Sequence, residues 1–175
     1  MPKTDPLALV RGLMSGDRWA AAAGARLVEV REGYARATMR LREMHLNGVA
    51  VAQGGAVFTL ADFAFAAAAN SHGTVAVALD TSITFARAAT KGPLSAEARE
   101  ESLSRRTSVC TVRVTDGEGK VVALFRGTAF RKDDAIAPLL GERARAAKAS
   151  RRRSRPRAAS ARRRAGRSSR ATAAA

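Results

Sequence analysis

The sequence predicts an α+β domain in which one antiparallel sheet curls around a single central helix. Residues 55–69 form a run in which almost every side chain is apolar or small, which is typical of a helix buried on all sides. Two strand-like segments precede this run and four follow it. No strand–helix–strand alternation indicates a parallel sheet. An antiparallel sheet wrapped around the helix therefore satisfies all three observations.

The remaining elements follow from local patterns. The spacing of Leu, Val and Met side chains predicts a helix over residues 5–23, in which Asp17 caps a second short turn. Gly73 is expected to cap the central helix at its C-terminal end. Period-two alternation predicts the strands, and glycine-rich turns separate them. The expected strands are 27–31, 34–41, 74–87, 94–103, 107–115 and 120–131, with a loop over 44–53 and a tight turn over 116–119.

Charge divides the chain into two parts. Residues 1–130 hold 16 Lys/Arg and 12 Asp/Glu, a net charge of +4, whereas residues 131–175 hold 15 and 3, a net charge of +12. From about Gly141 the sequence lacks the apolar content needed to offset the entropy of ordering. We therefore expect a folded domain over 1–133 and a basic, Arg/Ala-rich, disordered tail over 134–175.

Several classes of protein are disfavoured by what the sequence lacks. Cys110 is the only cysteine, so an intrachain disulfide is excluded, and its strand pattern predicts a buried thiol. The N-terminus lacks a signal-peptide pattern, and no run of about 20 apolar residues predicts a membrane span. We expect a cytoplasmic protein. No Gly-x-Ser-x-Gly motif indicates a serine hydrolase, and no ligand spacing indicates a metal.

Asp62 is the candidate for chemistry. It is the only Asp, Glu, Lys or Arg between Glu43 and Asp80, and it falls inside the predicted buried helix. Its spacing from Phe58 and Phe65 places the three side chains on one helix face. Burial raises the pKa of a carboxyl group, which suits a general base or a nucleophile. A structural aspartate that faces a solvent gap or a partner arginine is the alternative interpretation.

Two glycines precede the helix. Glycines at a helix start leave backbone N–H groups unpaired and allow a ligand to approach closely. Such amides at Gly54 and Gly55 are suited to an oxyanion. Asn47, in the preceding loop, can donate and accept hydrogen bonds.

These segments together resemble the PaaI-type hotdog thioesterases. The resemblance covers about residues 8–131. Its motifs are Asn47-Gly48, the run Gln53–Asp62, Asn70-Ser71, and the later segments 83–87, 92–94 and 121–128.

The resemblance implies a hotdog fold. Members of this family form dimers, which often pair into tetramers, and their active site lies at the dimer interface. It implies hydrolysis of acyl-CoA thioesters, commonly aryl- or hydroxyphenylacetyl-CoA in phenylacetate degradation. Coenzyme A is part of the substrate and no cofactor is expected. Asp62 matches the catalytic carboxylate, Gly54 the amide that polarises the thioester carbonyl, and Asn47 the residue that holds substrate or water. Expected substrate contacts are Gly55, Phe58, Asn70, Ser71, Arg87 and Lys91.

The sequence departs from the family at Gln53, where a histidine is usual, and at Pro93, where an acidic residue often stands. Gln53 is still a catalytic candidate, because glutamine can donate a hydrogen bond to a thioester oxygen or to water, but it cannot carry a proton. This leaves a carboxylate-centred mechanism intact, and it also keeps open a hotdog protein that binds acyl-CoA without hydrolysing it. A hotdog hydratase is a further rival, which the lack of histidine in 46–71 disfavours. The ten arginines of residues 151–170 keep open a rival from another class, a nucleic-acid-associated protein that binds phosphates without sequence preference. A solvated, dispensable extension is the alternative interpretation.

Overall fold

The computed structural model describes residues 5–153, and two compact units, Met1–Leu140 and Gly141–Ala175, divide the chain. No helix in the described range combines the length and apolar character needed to cross a membrane. A single 3₁₀ turn covers Glu43–His45. The other elements in chain order are α1 (Pro6–Met14), α2 (Arg18–Ala23), β1 (Arg26–Arg31), β2 (Tyr34–Arg40), α3 (Gly54–Ala69), β3 (Thr74–Phe85), β4 (Pro93–Leu103), β5 (Thr107–Thr115), β6 (Val121–Ala135) and α4 (Ile136–Arg153).

The six strands form one antiparallel sheet in the order β1-β2-β4-β5-β6-β3. Helix α3 packs against all six strands, most closely at β2, β4 and β5, and it is almost wholly buried on that side. The predicted α+β architecture, a sheet around a central helix, is therefore confirmed. Strands β1 and β3 are the two free edges.

Small side chains let the sheet approach α3 closely. Ala35, Ala37, Ala96 and Ala98 of β2 and β4 have no exposed surface. Gly127 of β6 has no side chain at the point where the Phe65 ring lies, and a Cβ there would stand only 2.8 Å from that ring. The rings of Phe58 and Phe65 both pack against Phe125, with centroids 5.5 and 5.7 Å away. Aromatic contacts of this length contribute beyond the area that they bury.

The leading segment forms two helices. Asp5 caps α1 through the amide of Leu7, and Asp17 caps α2 by accepting a 2.9 Å hydrogen bond from the amide of Ala20. Gly24, with a φ of 79°, ends α2 in the left-handed region that glycine adopts readily. The expectation of a second turn capped by Asp17 is confirmed, although the helix is interrupted between the two.

The C-terminal cap of α3 is Asn70 and the prediction of Gly73 is wrong. Asn70 keeps a right-handed conformation, and its Nδ2 donates to the carbonyl oxygens of Ala66 (2.9 Å) and Ala76 (3.2 Å). Its Oδ1 accepts from the amide of Ala76. Gly73, with a φ of 81°, serves the turn into β3 instead. The asparagine side chain thus does the work of a glycine cap by joining the helix end to the next strand.

A polar cluster lies near this end of α3. Glu100 Oε1 accepts a 2.5 Å hydrogen bond from Ser108 Oγ, and Glu100 Oε2 lies 2.8 Å from His72 Nε2. Both ionisable side chains are nine-tenths buried. The buried Cys110 Sγ lies 3.6 Å from Ser108 Oγ, and burial is the main cause that raises the pKa of its thiol to about 11. Cys110 is thus the buried, protonated thiol that its strand pattern predicts.

The expectation of disorder from residue 134 is wrong for the part of the tail that the structure describes. Strand β6 continues to Ala135 and α4 occupies Ile136–Arg153. Alanine, leucine, arginine and lysine are strong helix formers, so a segment too polar for a core can still be helical. Residues 154–175, which include most of the arginine-rich run, lie outside the described residues.

Replacing Gly127 with alanine tests the close approach of β6 to α3. Gly127→Ala should lower the free energy of unfolding by about 1–3 kcal/mol, because the buried Phe65 ring must move to admit a methyl group. Urea denaturation at a fixed protein concentration measures it. Gly48→Ala is the matched control, since no atom lies within 4 Å of a Cβ there, and it should change stability by less than about 0.5 kcal/mol. Equal effects at both positions would contradict the packing described.

Candidate active site

Helix α3 has one partly exposed stripe. Gly55, Thr59, Asp62 and Ala66 lie on it at helical spacing, with Phe58 partly exposed beside them, and from Leu60 onward the remaining positions are buried. The expectation that Asp62 shares its face with two phenylalanines is wrong in part, because Phe65 is fully buried against Phe125. The open stripe carries a hydroxyl group and small residues beside the carboxylate instead.

Asp62 is half-buried, and its carboxylate has no hydrogen bond or salt bridge within residues 5–153. Burial raises the pKa of this carboxyl group, and the negative charge of Asp17 raises it further. The direction agrees with the expectation from the sequence. The contribution of Asp17, the cap of α2, shows that the start of α2 lies close to Asp62. A carboxylate without partners and with a raised pKa is suited to accept a proton.

Gln53 is the N-terminal cap of α3. Its Oε1 accepts a 3.2 Å hydrogen bond from the amide of Ala56 and stands 2.7 Å from where a Cβ of Gly55 would lie. The backbone amides of Gly54 and Gly55 donate no hydrogen bond to any described residue. The helix therefore presents two unpaired N–H groups at its positive end, as the sequence predicts.

Phe85, at the end of β3, covers Gly54, a contact that no sequence pattern indicates. A Cβ on Gly54 would lie 3.0 Å from the Phe85 ring, so the glycine is needed for this approach. The ring itself is 54% exposed. Phe85 therefore forms a wall beside the two free amides.

Asn47 organises the loop before α3. Its Oδ1 accepts hydrogen bonds from the amides of Val49 (3.0 Å) and Val51 (3.2 Å), and its backbone pairs with Val51 and Ala50. These contacts hold Ala50 at a positive φ of 58°. The side-chain Nδ2 of Asn47 is exposed and has no partner among the described residues, so it can still donate to a ligand.

Trp19 is a second aromatic residue of the candidate site that the sequence did not indicate. Its Nε1–H donates a 3.0 Å hydrogen bond to Thr59 Oγ1, and Thr59 in turn donates a 2.8 Å hydrogen bond to the carbonyl oxygen of Gly55. The two side chains are 40 residues apart in the chain. The indole is therefore anchored to the open stripe of α3, one helical turn from Asp62.

Asn70 and Ser71 are not accessible, which corrects the prediction that they bind substrate. Both are buried, with 3% and 2% exposure. The polar atoms of Asn70 cap α3, and Ser71 Oγ accepts a 2.8 Å hydrogen bond from the amide of Gly33. These two residues join the end of α3 to β3 and to the β1–β2 turn, and their role is structural.

Arg87 and Lys91 lie together in the loop after β3. They line a cavity of about 360 Å³ with Lys120, Asp116 and Glu118. Lys120 pairs with Glu118 at 2.7 Å, and Asp116 accepts from two backbone amides of its own turn. Of the three cations that line this cavity, Arg87 and Lys91 have no salt-bridge partner among the described residues. A cavity of about 560 Å³ on the outer face of the sheet is not lined by Asp62.

The amides and the carboxylate are separated within one copy of the chain. Eight residues along a helix, from Gly54 to Asp62, span about 12 Å. A thioester carbonyl must lie about 3 Å from its hydrogen-bond donor and equally close to the attacking group. One α3 therefore does not bring both to the same carbonyl.

Comparisons with known proteins agree with this fold. The model of the thioesterase superfamily matches residues 50–123, which include the whole of α3. The acyl-coenzyme A thioesterase PaaI of Escherichia coli is 38% identical over 120 residues, 68% of this chain and 86% of that protein. The solved structure of E. coli PaaI superposes with a TM-score of 0.72 at 33% identity, covering 75% and 96% of the two chains. A hypothetical thioesterase protein of Streptococcus pneumoniae, solved with coenzyme A, has a TM-score of 0.63 at 27% identity and covers 66% and 93%.

A six-stranded antiparallel sheet packed around one central helix defines the hotdog class. The chain belongs to the thioesterase superfamily and, within it, to the PaaI-type hotdog thioesterases. It is accordingly a thioester hydrolase of the acyl-CoA thioesterase type.

The raised pKa of Asp62 has a consequence for stability. Burial disfavours the charged form of Asp62, so as pH rises past about 3.8 this carboxyl group ionises in the unfolded chain before it ionises in the folded chain. The folded state loses stability over this pH range, until its own Asp62 carboxyl group ionises. Asp62→Asn removes this penalty. The variant should have a higher free energy of unfolding than the wild type at pH 7. Below pH 3.8, where Asp62 is protonated in both the folded and the unfolded chain, only the pH-independent effect of the substitution should remain.

Urea denaturation between pH 3 and pH 8 measures this difference. Asp133→Asn is the control, because Asp133 is exposed and pairs with Arg106 at 2.9 Å. That variant should show no gain in stability at pH 7. A wild type that is more stable than Asp62→Asn at pH 7 would contradict the electrostatic environment described.

Proposed function

We propose that this protein hydrolyses aryl-CoA thioesters of the phenylacetyl- or hydroxyphenylacetyl-CoA type, with Asp62 as the general base. The observation that carries the proposal is a half-buried carboxylate, without partners in the described chain, on the open stripe of α3. The acyl-CoA thioesterase activity of the E. coli relative supports the reaction class. An acyl-CoA-binding protein without activity would not require a base here.

In the proposed reaction Asp62 removes a proton from a water molecule, and the water oxygen attacks the thioester carbonyl carbon. The resulting oxyanion accepts hydrogen bonds from the free amide of Gly54, with Gly55 next to it. One such donor contributes about 3 kcal/mol to the transition state. Collapse of the intermediate breaks the C–S bond and releases the acid and the thiolate of coenzyme A. A thiol has a pKa of about 8.5, so the leaving group needs little proton assistance and Gln53 need not act as an acid.

We propose that the site is shared between two copies of the chain, because α3 separates the amides from the carboxylate by about 12 Å. Gly54 of one copy would then face Asp62 of the second. Strand β3 favours such pairing: it is a free edge, and it exposes Val77 (44%) and Leu79 (62%). Unpaired edges with apolar side chains bind a further strand. A dimer is the minimum assembly, and two dimers would give a tetramer.

The remaining residues are proposed to hold the substrate. Arg87 and Lys91 provide positive charge for the phosphates of coenzyme A, a ligand with which the S. pneumoniae relative was solved. Asn47 Nδ2 and Gln53 Nε2 are free to donate to the water or the carbonyl. Phe58 of α3, whose ring packs against Phe125 of β6, is proposed to contact the substrate as well. The reaction needs no cofactor, and we place it in the cytoplasm as part of phenylacetate degradation.

Removing the base should abolish turnover. Asp62→Asn should lower kcat by at least about 10²-fold with little change in fold, because only a general base is lost. Release of the coenzyme A thiol measures the rate with phenylacetyl-, hydroxyphenylacetyl-, short-chain and long-chain esters, and circular dichroism checks the fold. Asp133→Asn, an exposed carboxylate distant in sequence, is the control and should retain full activity. Unchanged hydrolysis in Asp62→Asn would refute the assignment.

A shared site predicts complementation between two inactive variants. Gly54→Pro removes the proposed oxyanion N–H at the first position of the helix, where proline is tolerated. Phe85→Ala is introduced with it to make room for the ring. Mixed dimers of this double variant with Asp62→Asn contain one intact site, so refolding the two together should restore activity, to about a quarter of wild type for random mixing.

The single variant Phe85→Ala serves as the reference for the double variant. If the mixture stays inactive although mixed dimers form, the amide and the carboxylate act within one copy and the shared site is wrong.

A further inference from the structure

Trp19 combines high exposure with a fixed position. Its side chain is 72% exposed, although tryptophan is among the largest apolar side chains. Its one polar atom, Nε1, is already bonded to Thr59 Oγ1 at 3.0 Å. The surface that remains open is therefore the apolar part of the indole, held on the folded domain at a defined point.

That point is the open stripe of α3. Thr59 lies one turn after Gly55 and one turn before Asp62, and its hydroxyl is tied back to Gly55 at 2.8 Å. Asp17, two residues before Trp19, is close enough to Asp62 to act on its charge. The Trp19–Thr59 hydrogen bond thus places the indole on the open stripe, one helical turn from the carboxylate.

The opposite side of the site is basic. Phe85 packs over Gly54, and the chain continues from Phe85 into the loop that carries Arg87 and Lys91. A thioester whose phosphates lie at this loop and whose carbonyl lies at the Gly54 amide has its acyl group pointing away from the loop. In a shared site, the acyl group therefore meets the side chain that lies beside Asp62 of the other copy, which is Trp19.

We propose that Trp19 is a specificity-determining residue that forms an aromatic wall for the acyl group of the substrate, with Thr59 as the residue that positions it. This inference rests on the proposed function. An aryl ring gains from packing against the indole, whereas an acetyl group is too short to reach it. Trp19 therefore contributes to the choice of acyl group and not to bond cleavage.

Kinetics of Trp19→Ala test the wall. The variant should lose about tenfold or more in kcat/KM for phenylacetyl-CoA and less than about threefold for acetyl-CoA, so that selectivity falls. Leu103→Ala, which truncates an exposed apolar side chain at the end of β4, is the control and should leave selectivity unchanged. An equal loss for both esters, no loss, or a change in oligomeric state on size-exclusion chromatography would overturn the proposal, the last by assigning Trp19 to the contact between copies.

A matched pair tests the positioning role of Thr59. Thr59→Ser keeps the hydroxyl that accepts from Trp19 and should retain the wild-type selectivity. Thr59→Val removes it and should lower the ratio of kcat/KM for phenylacetyl-CoA to that for acetyl-CoA, through KM more than kcat. Identical selectivity in the two variants would remove Thr59 from the proposal.

Fluorescence separates this inference from the proposed function. Trp19 is the only tryptophan of the chain, so the indole emission reports on it alone. In Asp62→Asn, which should not turn over, phenylacetyl-CoA should change the emission while free coenzyme A should not. If the wild type hydrolyses no thioester the proposed function fails, and the titration still decides whether an acyl group meets Trp19. If hydrolysis is normal but both ligands give the same emission, the aromatic wall alone is wrong.

Discussion

The structure depends on one constraint, which is that α3 is apolar on every side that meets the sheet. Its alanines face the alanines of β2 and β4, and small residues on both sides bring the layers close together. No polar side chain can be accommodated in that contact without a partner. Reactive groups on this helix are therefore restricted to its ends and to the narrow stripe that the sheet leaves open. Asp62 and the free amides of Gly54 and Gly55 occupy those places.

This constraint explains which parts of the molecule were predictable from the sequence. A long apolar run and period-two alternation are local patterns, so the central helix, the six strands and the isolated Asp62 could be found before any coordinates. Contacts between distant segments leave no such pattern. Trp19 meets Thr59 across 40 residues, and Phe85 at the end of β3 meets Gly54 at the start of α3. The sequence therefore indicated the candidate residues for catalysis but not Trp19 and Phe85, the aromatic side chains that lie beside them.

The predictions for the C-terminal end of α3 and for the basic tail are wrong for the same physical reason, which is that amino-acid composition alone does not determine backbone conformation. Glycine was assigned to end α3, yet the amide of Asn70 can supply the same hydrogen bonds from the side chain. The arginine- and alanine-rich segment was expected to be disordered because it cannot form a core, yet α4 extends to Arg153. Intrinsic helix propensity acts without a core, and a side chain can replace a backbone conformation.

The site places charge where the fold disfavours it. The negative charge of Asp17, the cap of α2, adds to the burial that opposes ionisation of Asp62. Strain of this kind is typical of functional sites, where activity and stability compete. The cap that orders α2 also holds Trp19 in place, so helix formation and the electrostatics of the stripe are coupled through one short segment.

Cys110 lies on β5 with no exposed surface and a thiol whose pKa is raised to about 11. Only the thiolate reacts with disulfide reagents, and a buried, protonated thiol is inert toward them. Reagents that detect the thiol of coenzyme A thus encounter no competing signal from the folded protein. Conversely, Cys110 can react only when β5 separates from its neighbours. The rate at which a thiol reagent modifies this single cysteine therefore measures how often the sheet opens.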